Sequence, residues 1–124
     1  MINIHIDEAV AYDMLSILSV KNKHISSKES SIAFEGMWMD IFIEVGAVIH
    51  QQVMGSDEYK KLASTNQRIF SRLNDIKLRE PHAADALFID DSNYRRYLAK
   101  RALQERFFPT VPLTERKIGY EGTT

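Results

Sequence analysis

The chain has 124 residues, 16 lysines and arginines against 17 aspartates and glutamates, and no cysteine. That length suits one domain able to hide about two thirds of its unfolded surface, and the missing thiols exclude disulfides, a thiolate nucleophile and cysteine-ligated zinc. A net charge of −1 argues against a general polyanion binder, yet the charge is unevenly spread: residues 1–60 carry four bases and nine acids, residues 61–124 twelve and eight. Such asymmetry predicts that one half docks on the other, within a chain or between chains.

The opening "MINIHIDEAV" has no basic segment followed by a long apolar run, so neither a secretory signal nor a transit peptide is readable and a cytoplasmic location is expected. Helical periodicity starts at about Asp7 and runs to Lys21. Val10, Met14, Ile17 and Leu18, with Ala11 and Leu15 beside them, form the expected core face, while Glu8, Tyr12, Ser16 and Ser19 face away. "KNKHISS" breaks this helix, and Ser26 with Glu29 three residues later has the capping-box spacing of a second start.

From there the pattern stays helical to Gly55, about 28 residues or roughly 42 Å at 1.5 Å per residue. Between Ile32 and Met54, 15 of 23 residues are apolar. Two central carboxylates, Asp40 and Glu44, would each oppose membrane insertion by about 2.5–3.5 kcal/mol, so a buried helix is expected and not a spanning one. Gly36 and Gly46 stand alone in this run, where a glycine serves close helix approach or a local kink.

Ser56 caps a third helix, with Asp57 and Glu58 in the first turn where the helix dipole favours acids. The tight joint predicts an antiparallel hairpin between the second and third helices. Tyr59, Leu62, Asn66, Ile69, Leu73 and Ile76 follow a three-four alternation to about Leu78, with Asn66 as the polar entry that selects register. Pro81 closes this helix, "HAADALF" reads as a further short turn, and "DDSN" offers caps for a fourth helix from about Asn93 to Phe108, stopped by Pro109.

The expected architecture is therefore all-α. It is an antiparallel bundle of about four helices over residues 1–108 with a long central hairpin, and an extended C-terminal tail over 109–124.

Three constellations bear on function. On a helical wheel Asp40 and Glu44 share a stripe of roughly 60° with Glu29, Ala33, Ala47 and Gln51. Carboxylates one turn apart can hold a hard cation such as Mg²⁺, but they are equally the solvent seam of a surrounded helix or structural partners for arginines. No Glu-x-x-His pair accompanies them. His5, His24, His50 and His82 are scattered, and His50, on the flank of the apolar helix, is expected to be a hydrogen-bonded interior or interface residue. His82, three before Asp85, has the spacing of an acid–base couple or of loop decoration, and no serine sits in a recognisable nucleophile elbow.

The fourth helix carries Arg95, Arg96, Lys100, Arg101 and Arg106 interleaved with Tyr94 and Tyr97, residue types that grip phosphates and stack on bases. Their dispersal around the wheel favours pairing with the acidic half over reading a nucleic-acid groove.

The third constellation is the apolar excess itself. A helix apolar around about 300° needs cover on nearly every side, which predicts a homo-oligomer with Trp38, Phe42, Ile49 and Met54 buried between protomers. The leading expectation is a non-enzymatic assembly or adaptor module, needing no cofactor, whose bases Arg95, Arg96, Lys100, Arg101 and Arg106 meet a protein partner. The alternative is a Mg²⁺-dependent hydrolase of a phosphorylated small molecule, with Asp40 and Glu44 as ligands and Arg95 or Lys100 steadying phosphate. A weaker alternative is nucleic-acid binding through the fourth helix.

Overall fold

The computed structural model describes residues 2, 4–25 and 27–109, and these hold no strand. Among them five helices follow in order: α1 (Glu8–His24), α2 (Lys28–Val45), α3 (Ala47–Met54), α4 (Asp57–Lys77) and α5 (Ala83–Phe107). The expected tail from residue 110 onward and the expected cap Ser26 lie outside the described residues. The N-cap of α2 is Ser27, whose Oγ accepts a hydrogen bond from the Ser30 backbone N–H at 3.0 Å. No helix among the described residues is long and apolar enough to cross a membrane.

The long second helix of the sequence reading is two helices. Gly46 has φ +94° and ψ 153°, an extended left-sided conformation open essentially to glycine alone. It ends α2 and starts α3 in a new direction. The turn at Gly55 and Ser56 then returns the chain into α4: Ser56 Oγ donates to the Val53 carbonyl at 2.6 Å and accepts from the Tyr59 N–H at 3.1 Å.

After the bend at Gly46 the backbone of α2 lies against those of α1 and α3 and stays apart from those of α4 and α5. The antiparallel hairpin is consequently α4 with α5, the most extensive helix pair, and not α2 with α4. Arg106 pairs with Glu58 at one end of it, and Arg72 with Asp85 at 2.8 Å at the other. Arg68 and Arg72 also lie over the Phe88 ring, 5.2 and 4.0 Å from its centre.

The last helix begins ten residues earlier than its "DDSN" signal suggests, at Ala83. Asp85 decides this. Its carboxylate accepts from the His82 backbone N–H at 2.8 Å, which satisfies one of the free donors of a helix start. Arg79 and Arg72 grip the same group. The Arg79 guanidinium, the His82 N–H and Arg72 together hold the Asp85 carboxyl well below the ordinary carboxylate range. The short helical turn and the fourth helix thus fuse into one element.

The core is built on α1. Tyr12 and Leu15 of α1, Val53 of α3, Leu62 of α4 and Leu103 of α5 are fully enclosed. The rotation of α1 differs from the expected one: Tyr12, Asp13 and Ser16 are buried, whereas Met14 is exposed. Polar partners explain the turn. Asp13 accepts from Asn66 Nδ2 at 2.9 Å and from Arg96 Nε at 2.9 Å, with Lys100 Nζ at 3.8 Å. Asn66 Nδ2 also donates to Ser16 Oγ at 2.6 Å. At the start of α1, Gln104 of α5 accepts from the Ala9 N–H at 2.8 Å and caps the helix from across the core.

Two stability measurements test this framework. Gly46→Ala places a Cβ in open space, so its penalty is torsional alone. A loss of about 1–3 kcal/mol is expected, read as a lower urea midpoint with unchanged slope. Asp13→Ala leaves Lys100 and Arg96 facing an empty acceptor and should remove about 3–5 kcal/mol. A loss below about 1 kcal/mol would show that the charge is not what seats α1.

Candidate functional site

The faces of α2 follow from its periodicity. Ile41 is buried, and Phe34, Met37, Trp38 and Val45 pack partly buried against the core. On the opposite side Ile32, Gly36, Met39 and Ile43 recur at spacings of four, three and four, which places them in one line along the helix. Ile32 is 59% exposed, Met39 48% and Ile43 72%. Val48 of α3, 68% exposed, extends the apolar surface past the bend. A shallow groove of about 340 Å³ runs beside this ridge, lined by Phe34, Glu35, Trp38 and Met39.

The four residues expected between protomers are half-buried in the chain's own packing. Trp38, Ile49 and Met54 pack against the core, and Phe42 stacks on Trp38 with ring centres 5.3 Å apart. The apolar residues of this stretch left uncovered are instead Ile32, Met39, Ile43 and Val48.

Asp40 and Glu44 are exposed on one border of the ridge. They help line an open cleft of about 480 Å³ between α2, the start of α1 and the segment preceding it, with His5, Glu8, Tyr12 and Met37 among its walls. No group of three histidine or carboxylate side chains among the described residues is placed to hold a metal ion. Neither acid is in an ion pair among the described residues. The cleft can therefore attract a cation but offers no closed coordination shell.

The five bases of α5 all face carboxylates of the same chain. Arg95 pairs with Asp91 at 2.9 Å and Arg101 with Glu105 at 2.8 Å, each one turn away on the same helix. Arg96 binds Asp13 and Arg106 binds Glu58. Lys100 is only 2% exposed, so no partner or phosphate reaches it. His82 and Asp85 meet through the His82 backbone N–H; that contact starts a helix and is not an acid–base couple.

No known family, curated protein or solved structure matches the chain. What the site does must be argued from its own residues.

His50, expected from the sequence as a hydrogen-bonded interior or interface residue, sits in an aromatic cage behind the ridge that the sequence did not show. His50 of α3 is buried, and its Nδ1 lies 2.9 Å from Tyr12 Oη. The imidazole stacks on Tyr12 and meets Trp38 and Phe42 edge-on, with centres 4.7 and 5.9 Å away. Burial lowers the His50 pKa below its ordinary value of 6.5, and burial with the nearby Tyr59 raises that of Tyr12. Both groups are thus neutral near pH 7 and share one hydrogen bond between Oη and Nδ1, while Nε2 is buried without a hydrogen-bond partner among the described residues. Tyr59, at the edge of the cage, is pushed up to about 12 by burial. The available signal was the apolar company of His50 in "GAVIHQQVM".

The neutral His50 has a pH consequence. The unfolded chain takes up a proton at this residue below about pH 6.5, and the folded chain resists it. The stabilisation is therefore complete above that pH and declines as pH falls toward the lowered native value. Unfolding free energy should drop between pH 7.5 and 5.5, and His50→Gln, which retains a hydrogen-bonding group for Tyr12, should flatten that drop. An unchanged pH profile in the variant would assign the slope to another group.

Proposed function

We propose that the protein is a non-enzymatic assembly module, a helical bundle that presents the outer ridge of α2 as a docking surface for another helix. The observation that carries this reading is the line of Ile32, Met39 and Ile43, exposed to solvent on a helix whose other side is well packed. Scattered apolar residues on a surface need no explanation, whereas a contiguous strip beside a groove is the form of a protein–protein contact. Three aligned side chains over three turns match the anchors by which one amphipathic helix seats on another.

Two facts weigh against the competing readings. The bases of α5, which nucleic-acid binding requires, are engaged by carboxylates of the same chain, and an ion-paired arginine is a weaker phosphate ligand than a free one. For hydrolysis, Asp40 and Glu44 lie one turn apart on a single helix whose backbone stays apart from that of α5, which carries the bases Arg95 and Lys100 expected to orient a phosphate.

The double variant Ile32→Asp, Ile43→Asp tests whether the strip is displayed or packed. If it is displayed, unfolding free energy changes by less than about 0.5 kcal/mol per site, while native-state binding of an environment-sensitive apolar dye falls strongly. Loss of cooperative folding in that variant would make the ridge part of the core and remove the docking surface.

A further inference from the structure

We infer that the occupant of the α2 ridge is a basic amphipathic helix of another protein, an inference that rests on the docking reading and adds to it the sign of the partner's charge. The ridge is bordered by acids: Glu35 lies on one side of the Ile32–Met39–Ile43 line, Asp40 and Glu44 on the other. From Glu29 to Met54 there is no lysine or arginine. Glu35, Asp40 and Glu44 are exposed and belong to no ion pair among the described residues. On α5 the opposite holds, because the arginines there are already matched to acids of α1, α4 and α5. Unpaired acids thus flank the apolar strip of α2, with Lys28 one turn before Ile32 at the start of the helix, while other exposed bases such as Lys23 and Lys60 lie on α1 and α4.

The charge separates the possible occupants. A second copy pairing α2 on α2 about a two-fold axis meets acid with acid in either direction. The antiparallel arrangement sets the Asp40–Glu44 border against itself, and the parallel one sets it against the Glu35 border. Like charges at a contact oppose binding. A membrane surface is disfavoured for the same reason: helices that lie on bilayers border their apolar side with lysine and arginine, which attract anionic lipid.

A helix with Leu, Ile or Met at positions i, i+4, i+7 and i+11, flanked by lysine or arginine, satisfies both the strip and its borders. Gly36, with nothing within 4 Å of where its Cβ would be, leaves a notch in the ridge for one large side chain. The groove between Phe34 and Trp38 takes a second.

The test uses the full chain and three stapled helical peptides with the same leucine strip, flanked by lysine, glutamine or glutamate. Trp38 is the sole tryptophan and lines the groove, so its emission reports occupancy. The lysine peptide is expected to bind at least roughly tenfold more tightly than the glutamine peptide, with the advantage shrinking as salt is raised. The glutamate peptide should bind least. Asp40→Asn with Glu44→Gln should erase most of the difference, and Ile43→Asp should abolish binding of all three with helix content unchanged.

Equal binding of the lysine and glutamine peptides would overturn the inference and leave the docking surface standing. Failure of every peptide to perturb Trp38, or binding indifferent to Ile43→Asp, would overturn both. Concentration-dependent dimerisation that the lysine peptide cannot displace would make the occupant a second copy. Ile43-dependent partition onto vesicles of mixed neutral and anionic lipid, exceeding peptide binding, would make it a membrane; either result sinks the inference.

Discussion

One buried carboxylate orients this fold. Asp13 sits on α1 with Asn66 of α4 and Arg96 and Lys100 of α5 around it, so a single charge ties three helices to one another. An isolated ion at that depth would be expensive by several kcal/mol, and it is tolerated because two cations and an amide fill its lone pairs. The cluster is directional where apolar packing is not. It forces the side of α1 that bears Asp13 and Ser16 inward and carries Tyr12 and Leu15 with it to meet Val53, Leu62 and Leu103.

That dependence explains which parts of the fold could be read in advance. Local chemistry was legible: the Ser56 cap, the acidic first turn and the Asp57–Lys77 span of α4 agree closely with their sequence signals. Non-local choices were not. Val10, Met14, Ile17 and Leu18 make the greasier side of α1, and periodicity alone turns that side to the core. The winning rotation buries polar groups whose partners lie 53 and 83 residues away, and no local window contains them. Gly46 is a similar case. An isolated glycine in an apolar run is compatible with a helix, a kink or a break, and its positive φ becomes visible only when α3 is seen turning His50 and Val53 toward α1 and α4.

The same network settles where charge remains. The acid–base asymmetry predicted that one half docks on the other, within a chain or between chains, and within the chain Arg96 and Arg106 of the basic half meet Asp13 and Glu58 of the acidic half. The α5 bases each face a carboxylate in the fold, and Asp40 and Glu44, which the sequence left as either a cation pair or a solvent seam, lie exposed beside an apolar strip. A residue type names what a side chain can do; its neighbours in space decide whether that capacity is still free.

The position of α2 follows from both constraints together. The Asp13 cluster holds α1, α4 and α5, and the Gly46 bend carries α3 back toward α4 and α5, so the backbone of α2 leans on α1 and α3. Its inner side supplies Ile41 and the Trp38–Phe42 stack that roofs His50. An element covered on one side opens at lower free energy than the helices it leans on. A helix seated on the ridge would supply the missing side, and by mass action it would stabilise the native chain in proportion to its occupancy. Docking at Ile32, Met39 and Ile43 is thereby coupled through the thickness of a single helix to the neutral His50 cage behind it: whatever holds α2 down also keeps that imidazole dry.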